Sequence, residues 1–345
     1  MNKKYAKLGS EKAVELINID SPSGFTKNIT NKVVREFEKL GYKTSVSNKG
    51  SVLVTISDVD SKRGAVLFAA HGDTLGAMVK EIKGNGRLKV TNIGGLVANN
   101  VETENAKIYT RDGKIYEGTF QLINASSHVN KELQTTDRTF DSIEVVLDED
   151  VKCKEDVLKL GIEVGDFVCP CPRAHITDSG YIKSRFLDDK LSVGTLISFA
   201  TYLKDNDIKL KRKVYFLITV YEEVGHGGSC IPDDVKEAIS VDMGCIGEGV
   251  TCSERQVSIC AKDSGGPYDF DVTNKLIEAA KKEKADYAID VYPYYSSDVE
   301  AALKAGYDVK HGLIGPGVYA SHGYERSHID AVLSTLKVIK GYLEI

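Results

Sequence analysis

Residues 214–228, VYFLITVYEEVGHGG, combine a strand-like run with two acidic residues and a glycine-rich end. The first seven residues are mostly β-branched, aromatic or aliphatic, which is typical of a buried strand. Glu222 and Glu223 follow where that strand ends. Adjacent carboxylates repel each other there, and this repulsion raises the pKa of each. The stretch therefore indicates either a solvated loop or a pair of acids that holds a cation from outside the chain.

Helical periodicity alternates with single apolar runs on both sides of this stretch. Ile29, Val33, Phe37 and Leu40 recur at helical spacing near the start, and Ile329 begins a clear apolar stripe at the end. The predicted strands of these parts lie at residues 51–56, 64–70, 213–220, 238–242 and 257–261. Helices that alternate with single strands predict an α/β fold with a largely parallel sheet flanked by helices.

Between residues 76 and 175 the pattern is of a different kind. Here KIYTRDGKIYEG, residues 107–118, places Asp112 and Gly113 between two alternating segments, which is a strong hairpin signal. Further strand-like runs follow, and no convincing amphipathic helix interrupts them. We predict a small all-β, barrel-like domain at residues 76–175, inserted into an α/β domain made of residues 1–75 and 176–345.

Composition argues against several classes of partner. The net charge of −5, with Lys and Arg scattered along the chain, argues against a nucleic-acid-binding surface. The seven cysteines lack the regular spacing of a disulfide scaffold, which favours a reducing compartment. The first residues lack the apolar core of a signal peptide, and no apolar run approaches membrane-spanning length. We expect a cytoplasmic protein with no nucleic-acid or membrane partner.

Other acids and a histidine also follow predicted strands or precede a helix. In LFAAHGDTLG, His71 and Asp73 stand two residues apart at a strand end, so their side chains point to the same face. A carboxylate so placed can orient an imidazole that binds a metal. Asp188 and Asp189 precede a predicted helix, where capping explains one acid but not two, and Asp242 ends another predicted strand. Because ligands bind at the carboxyl edge of an α/β sheet, we expect these side chains and the two glutamates to meet there.

A cluster of this kind needs a cation. Nitrogen and oxygen donors suit Zn²⁺ or a similar first-row ion, and a two-metal centre holds its ions about 3.5–4 Å apart. A second histidine must then join His71. The candidates are His128, His175, His226, His311, His322 and His328. His322 follows a glycine-rich loop just before the final helix and is preferred, whereas His128 lies in the inserted β domain.

Five motifs occur in a specific order: HGDTLG, FLDDKLSVG, YEEVGHGG, VDMG and SHGYE. Together with INIDSPSGFT near the start, they resemble the M42 family of metallo-aminopeptidases over nearly the whole chain. The resemblance implies a zinc-peptidase-like fold that removes N-terminal residues from peptides with two divalent ions per subunit, Zn²⁺ or Co²⁺. It also implies a homo-oligomer, a tetrahedral dodecamer built from dimers, to which the inserted β domain contributes.

The same resemblance implies a ligand set. Asp188 would bridge the two ions. His71 and Asp242 would complete one metal site, and Glu223 and His322 would complete the other. The late histidine is the least certain in register, because the residues around SHGYE depart from the usual family pattern; His328 is the second choice.

The resemblance also implies the catalytic roles. Glu222 would be the general base, which takes a proton from water acidified by the ions and returns it to the leaving amine. Asp73 would orient His71. His226, just after the two glutamates, is open to a contact with substrate or to a purely structural role.

Two loops are expected either to wall the substrate pocket or to be ordinary connections. They are DSGGP and YPYYSSD, which contain Asp263, Ser264, Tyr294, Tyr295 and Asp298.

Two other enzyme classes remain open at this point. An amidohydrolase of the M20 type, acting on N-acyl amino acids, needs a basic residue that binds the substrate carboxylate, and Arg185 and Arg326 lie close to the motifs. A glycoside hydrolase can use two carboxylates without a metal, but it leaves His71 and His322 unexplained.

Overall fold

The computed structural model describes residues 1–345 and divides into two compact units. The larger unit comprises Met1–Asp73 and Arg173–Ile345, and the smaller unit comprises Thr74–Pro172. None of the helices is both long enough and apolar enough to cross a lipid bilayer.

Seven α-helices and eighteen strands make up the two units. The helices are α1 (Lys3–Ile17), α2 (Lys27–Lys39), α3 (Lys154–Leu160), α4 (Leu187–Asp205), α5 (Phe270–Lys282), α6 (Asp298–Lys304) and α7 (Ile329–Tyr342). The strands are β1 (Lys43–Val46), β2 (Val52–Ser57), β3 (Ala65–His71), β4 (Gly76–Ile82), β5 (Leu88–Ile93), β6 (Asn105–Tyr109), β7 (Ile115–Leu122), β8 (Ile143–Leu147), β9 (Phe167–Pro170), β10 (His175–Ile176), β11 (Tyr181–Ser184), β12 (Val214–Thr219), β13 (Val235–Val241), β14 (Gly244–Ile246), β15 (Val257–Lys262), β16 (Tyr287–Val291), β17 (Lys310–Tyr319) and β18 (Glu325–His328). Single-turn 3₁₀-helices occur at Ala98–Asn100 and Glu222–Val224.

The larger unit is built on a twelve-stranded sheet. Nine strands follow the order β1-β2-β12-β3-β13-β17-β18-β11-β10, and the central run β12-β3-β13-β17 is parallel. Along β3, the side chains of Val66, Phe68 and Ala70 pack into one hydrophobic core, whereas those of Leu67 and Ala69 pack into a second. A strand buried on both faces reads as a continuous apolar run, which is why β3 is clear in the sequence. The predicted α/β fold class is confirmed.

Helix α4 is buried around its whole circumference and carries the acid pair Asp188-Asp189 at its start. Residues 187–200 are all buried. A Cβ atom at Gly194 would lie 2.3 Å from the main-chain oxygen of Gly9, so glycine is what allows α4 and α1 to approach so closely. The buried ammonium group of Lys190 donates hydrogen bonds of 3.1 and 2.7 Å to main-chain oxygens at the carboxyl end of α1. The start of α4 is therefore fixed against α1.

The smaller unit is a closed six-stranded barrel in the order β4-β5-β8-β7-β6-β9, with antiparallel pairing throughout. Asp112 and Gly113 lie in the turn between β6 and β7, where Gly113 takes a φ of +87° that suits a residue without a Cβ atom. The predicted small all-β domain is confirmed. Helix α3 is not predicted, because seven residues span too few turns for a periodic pattern.

Candidate active site

Three neighbouring parallel strands of the larger unit deliver polar side chains to one edge of the sheet. His71 is the last residue of β3, Glu222 and Glu223 follow β12, and Asp242 follows β13. These strands lie side by side in the order β12-β3-β13, so the residues meet at the carboxyl edge of the sheet, where α/β proteins bind ligands.

Asp188 lies between two imidazoles. Its Oδ1 atom is 3.1 Å from Nε2 of His71, and its Oδ2 atom is 3.5 Å from Nε2 of His322. Oε2 of Glu223 is 3.7 Å from the same His322 nitrogen, and Oε2 of Glu222 is 3.6 Å from Nε2 of His71. One oxygen of Asp188 therefore faces each histidine, which is the arrangement that a ligand shared by two metal sites needs.

Asp242 joins the cluster on the side of His71. Asp189, which is not among the predicted ligands, does so too. Ligand atoms of His71, Asp189 and Asp242 lie within 4.8 Å of one another, as do those of His71, Asp188 and Glu223. Oδ2 of Asp189 accepts a hydrogen bond of 3.2 Å from the main-chain N–H of His71, and its buried Oδ1 has no hydrogen-bond partner. The peptide bond between Asp188 and Asp189 is cis. The sequence shows that Asp188 and Asp189 are adjacent, but it does not show whether Asp189 is a second metal ligand or only caps the helix.

The carboxylate of Asp73 bonds mainly to the turn that carries the two glutamates. Its oxygens accept hydrogen bonds from the main-chain N–H groups of Glu222 (3.2 Å) and Glu223 (3.4 Å) and from Oγ of Ser23 (2.5 Å). The atom within hydrogen-bond distance of Nδ1 of His71 is the main-chain oxygen of Asp73, at 3.0 Å, whereas its Oδ1 is 3.6 Å away. Asp73 thus fixes the main chain on both sides of the cluster.

Glu325 is a second residue that the sequence pattern does not single out. This buried carboxylate accepts hydrogen bonds from the main-chain N–H groups of Leu187 (2.6 Å) and Asp188 (3.1 Å) through Oε2, and from that of His322 (3.1 Å) through Oε1. It therefore joins the loop of the shared acid to the loop of the late histidine. The signal was present, since Glu325 belongs to the SHGYE motif, but its role depends on a contact across 137 residues of sequence.

Three loops around the cluster contain a residue with a left-handed main chain. The φ angles are +67° at Phe186, +73° at Tyr221 and +64° at His322. Non-glycine residues in this region are uncommon and concentrate at functional sites.

Burial raises the pKa of most acids in the cluster. It is the main reason that the pKa values of Glu222, Glu223 and Asp189 lie well above the usual range. Burial, reinforced by the charge of Asp188, also raises the pKa of Asp242 to about 7. These shifts mean that the folded protein holds the acids in a region where their negative charges are unfavourable.

The two histidines offset only part of this charge. Burial alone would lower the pKa of His71, but the charge of Glu222 and the hydrogen bond to Asp188 raise it well above its usual value. The hydrogen bond to Asp188 raises the pKa of His322 to about 9. Burial would raise the pKa of Asp188, yet its bonds to His322 and His71 bring it below the usual range. The imidazoles favour the charge of Asp188 most, and two imidazoles cannot balance the five acids of the cluster.

A cavity of about 490 Å³ opens beside the cluster. Its acidic wall includes Asp188, Glu222, Glu223, Asp242 and His322. The rest of its lining is largely apolar or aromatic and includes Met243, Cys245, Ile246, Val250, Tyr292 and Tyr295. No lysine or arginine lines the cavity, and its size is that of a site for a small ligand or one residue of a larger one.

Only some of the other residues predicted as cavity wall or as late ligand lie at the cavity. Tyr294 and Tyr295 line the cavity, whereas the DSGGP loop does not. Asp298 lies behind the cavity lining, where its Oδ2 accepts a hydrogen bond of 2.5 Å from Oγ1 of Thr219. His328 caps α7, with Nδ1 accepting from the N–H of Asp330 at 3.0 Å. Its Nε2 lies 2.9 Å from the main-chain oxygen of Ser179, whereas Nε2 of His322 lies 3.5 Å from Asp188 and 3.7 Å from Glu223, so His322 is the late histidine beside the cluster.

His226 also lies outside the cluster. Its ring stacks on that of Tyr221 with 5.0 Å between the centroids, and its Nδ1 is 3.2 Å from Nζ of Lys49. Neither Arg185 nor Arg326 lines the cavity, and the guanidinium of Arg326 bonds to Glu254 at 2.8 Å.

The residues present fit divalent cations. Two imidazoles and five carboxylates converge, so the acids outnumber the cations of the chain, and the buried Oδ1 of Asp189 makes no hydrogen bond of regular geometry. Imidazole nitrogen and carboxylate oxygen are common ligands for Zn²⁺ and similar first-row ions.

Comparison with known proteins places the chain in a family. Residues 50–338 match the family model described as M42 glutamyl aminopeptidase. The chain belongs to the M42 peptidase family. It is 44% identical, over 96% of its length and 95% of the relative, to a Bacillus subtilis (strain 168) protein named "Putative aminopeptidase YhfE". It is also 23% identical to a glutamyl aminopeptidase of Lactococcus lactis subsp. cremoris (strain MG1363), over 70% of this chain and 71% of that protein. The predicted family and the predicted enzyme class, a metal-dependent aminopeptidase and hence a hydrolase, are confirmed.

A solved structure shows the same fold. The aminopeptidase APDkam598 from the archaeon Desulfurococcus kamchatkensis superposes with a TM-score of 0.86, at 22% identity, over 99% of this chain and 94% of that one. The TET1 peptidase of Pyrococcus horikoshii superposes with a TM-score of 0.83, also at 22% identity, over 96% of this chain and 98% of that one.

Proposed function

We propose that this M42 protein removes N-terminal residues from peptides with two divalent ions, Zn²⁺ or Co²⁺, and with Glu222 as the general base. The observation that carries the proposal is the position of Asp188, which presents one oxygen to His71 and the other to His322 in a cluster where acids outnumber cations.

The proposed ligands divide into two sets that share Asp188. His71 and Asp242 would complete one site, and Glu223 and His322 the other; the proximity of ligand atoms around His71 supports the first set, and the two distances to His322 support the second. Asp189 is a further candidate on the side of His71. When bound, such ions polarise the scissile carbonyl and lower the pKa of the attacking water.

Glu222 is the acid best placed to move protons. Its carboxylate lies beside His71, lines the cavity and has a pKa raised chiefly by burial, as suits a base that must accept and release a proton. In the proposed reaction, Glu222 takes a proton from the attacking water and gives it to the leaving amine. The oxygen of that water bonds to the carbonyl carbon as the C–N bond breaks.

Adjacent glutamates can take different roles because they face different partners. Oε2 of Glu222 approaches His71, whereas Oε2 of Glu223 approaches His322. Asp73 fixes both through their main-chain N–H groups, which supports a positioning role for Asp73 that acts on the turn more than on the imidazole.

The cavity supports an aminopeptidase over the two alternatives. An enzyme that recognises the carboxylate of an N-acyl amino acid needs a cation in its pocket, and none of the lining residues is lysine or arginine. The exposed Glu248 at the cavity is instead an acid suited to a substrate ammonium group. A metal-independent glycoside hydrolase leaves the two histidines of the cluster without a role.

We propose that the barrel unit, with predicted bounds 76–175, takes part in the assembly of a homo-oligomer. A dodecamer built from dimers is the proposed form. The structure of TET1 peptidase of Pyrococcus horikoshii is described as a tetrahedron or a large octahedral shell, which supports an assembly of that kind. Exposed apolar side chains on the barrel unit, among them Val129 and Val164, are available to be buried in an interface between subunits. The absence of disulfide bonds among the seven cysteines supports a cytoplasmic location.

The test is a substrate panel with metal control. Aminoacyl-p-nitroanilides and N-acetylated amino acids are incubated with protein that has been treated with chelator, dialysed and then supplied with Zn²⁺ or Co²⁺. We expect release of nitroaniline only after metal is restored. Hydrolysis of the N-acetyl compounds alone, or full peptidase activity in excess chelator, would contradict the proposal.

A further inference from the structure

Tyr295 places a buried, unused hydroxyl group in the wall of the cavity. It belongs to the loop between β16 and α6 and lines the same cavity as Glu222 and Asp242. Its hydroxyl oxygen is buried and makes no hydrogen bond of regular geometry within the chain, although it lies near the carboxylate of Asp242. Buried hydroxyl groups nearly always have a partner, and an unsatisfied one costs about 1–3 kcal/mol.

The other buried tyrosines near this loop do have partners. The hydroxyl of Tyr292 pairs with Oγ of Ser258, and the hydroxyl of Tyr268 donates to Oδ2 of Asp263 at 2.6 Å. Tyr295 is therefore the exception in a region where tyrosine hydroxyl groups are otherwise satisfied.

The ring of Tyr295 is held in place by its surroundings. It packs edge-on against the ring of Tyr292, with 5.4 Å between the centroids and 60° between the planes. The main-chain oxygen of Tyr295 accepts hydrogen bonds from N–H (3.0 Å) and Oγ (2.5 Å) of Ser264. The hydroxyl group is thus presented by a fixed ring and a fixed main chain.

We propose that the hydroxyl of Tyr295 donates a hydrogen bond to the scissile carbonyl oxygen of the bound peptide and stabilises the negative charge that develops there. The inference rests on the proposed function, because it takes the cavity to be the site of peptide hydrolysis. A donor that is already oriented and shielded from water needs no rearrangement when the charge forms, and that is what makes such groups effective. Divalent ions bound to the acids would polarise the same carbonyl, and the donor would add to that effect.

Asp242 is the alternative partner of this hydroxyl group, since it is the acid whose charge acts most strongly on Tyr295. In that case the tyrosine would support a metal ligand and its removal would disturb folding or metal content. The test must separate a hydrogen bond to substrate from a hydrogen bond to the protein.

The experiment compares Tyr295→Phe with Tyr287→Phe in the metal-loaded protein. Tyr287 lies in β16, which leads into the same loop, and does not line the cavity, so its change controls for the loss of a tyrosine hydroxyl group outside the site. For Tyr295→Phe we expect kcat to fall at least about tenfold, towards the 10²–10³-fold loss typical of a deleted oxyanion donor, with KM changed by less than about threefold. Its melting temperature should equal or exceed that of the wild type, because an unsatisfied hydroxyl group is removed, and its metal content should be unchanged.

Each other outcome overturns the inference in a different way. An active wild type with an equally active Tyr295→Phe variant shows that the hydroxyl group has no catalytic role. A loss of kcat accompanied by a lower melting temperature or lost metal shows that it serves Asp242. Equal losses in both variants show an effect that does not come from a hydroxyl group in the cavity. A metal-loaded wild type that cleaves no aminoacyl substrate refutes the proposed function itself, and the inference with it.

Discussion

At the amino end of β13, Glu237 is a buried acid surrounded by cations, whereas at the carboxyl end of the same strand Asp242 is a buried acid surrounded by other acids. Glu237 accepts hydrogen bonds from Arg212 (2.6 Å), Lys275 (2.9 Å) and the hydroxyl of Tyr342 (3.1 Å). Burial alone would raise its pKa, but these cations lower it below the usual value. The pKa of Asp242 is raised to about 7.

Both ends of the strand also border a cavity, so a cavity with acids does not by itself indicate an active site. The cavity at the amino end is lined by Arg63, Arg212, Lys275 and Lys282 beside Glu237. Its charges are balanced by the chain, which is sufficient for a structural ion-pair network. The acids at the carboxyl end lack such cations, and we conclude that their counter-charge comes from bound metal ions.

The largest expected difference between the two ends is in catalysis. Glu222→Gln removes a proton acceptor but keeps the shape of the side chain, so kcat should fall by about 10²–10⁴-fold with metal content unchanged. Glu237→Gln, the matched change at the other end, should leave kcat within about threefold of the wild type. Steady-state kinetics with a leucyl anilide, together with metal analysis, measure both. Near-normal kcat in metal-loaded Glu222→Gln would show that another group is the base.

A smaller difference is expected in substrate choice. With no lysine or arginine in the cavity, an acidic N-terminal side chain finds no cation and meets Glu248, whereas a neutral one finds an apolar wall. Glutaminyl and glutamyl anilides have nearly the same shape and differ in charge. We expect kcat/KM to be at least about tenfold higher for the glutaminyl substrate, equivalent to about 1.4 kcal/mol. A preference for the glutamyl substrate would mean that a cation absent from the lining reaches the site.

The smallest expected difference is in the stability of the metal-free protein, where the two ends should respond in opposite directions. Asp189→Asn removes an acid whose charge is unfavourable and should raise the melting temperature. Glu237→Gln weakens two charge-assisted hydrogen bonds and should lower the free energy of unfolding by about 1–3 kcal/mol, and the melting temperature with it.

The effect of Asp189→Asn should also depend on pH. The pKa of Asp189 is raised in the folded protein, mainly by burial, so its contribution to stability is present below the unfolded pKa and is lost as pH rises through the folded one. The stabilisation by Asp189→Asn should therefore be larger at about pH 8 than at about pH 5. Calorimetry in chelator measures it, and a melting temperature lowered at both pH values would contradict the account.

Much of the fold and most of the cluster follow from local sequence. Strand β3 is an unbroken apolar run because both faces are buried, and the polar residues that follow such runs mark the carboxyl edge of the sheet. His71, Glu222 and Asp242 could be placed at that edge without knowing the structure. Asp188 lies at the start of α4 and His322 in a loop, and their assignment as ligands depended on the family resemblance.

The remaining features depend on contacts that the local sequence does not encode. Asp189 lies on the side of His71 through the tertiary position of α4, and Glu325 meets the start of that helix from far along the chain. The link from Asp73 to the glutamate turn requires two adjacent strands to end at the same level. The lack of a regular hydrogen bond at the hydroxyl of Tyr295 depends on the positions of residues that are far apart in sequence.

The central claim is that the acids at the carboxyl end of β13 share two divalent ions, and metal stoichiometry tests it most directly. Metal-free protein is dialysed against Zn²⁺ or Co²⁺, and the bound metal is counted by mass spectrometry beside the same treatment of Asp188→Asn and Glu237→Gln. We predict two ions per chain in the wild type and in Glu237→Gln, and fewer than two in Asp188→Asn. No bound ion in the wild type, or the same count in Asp188→Asn, would contradict the account.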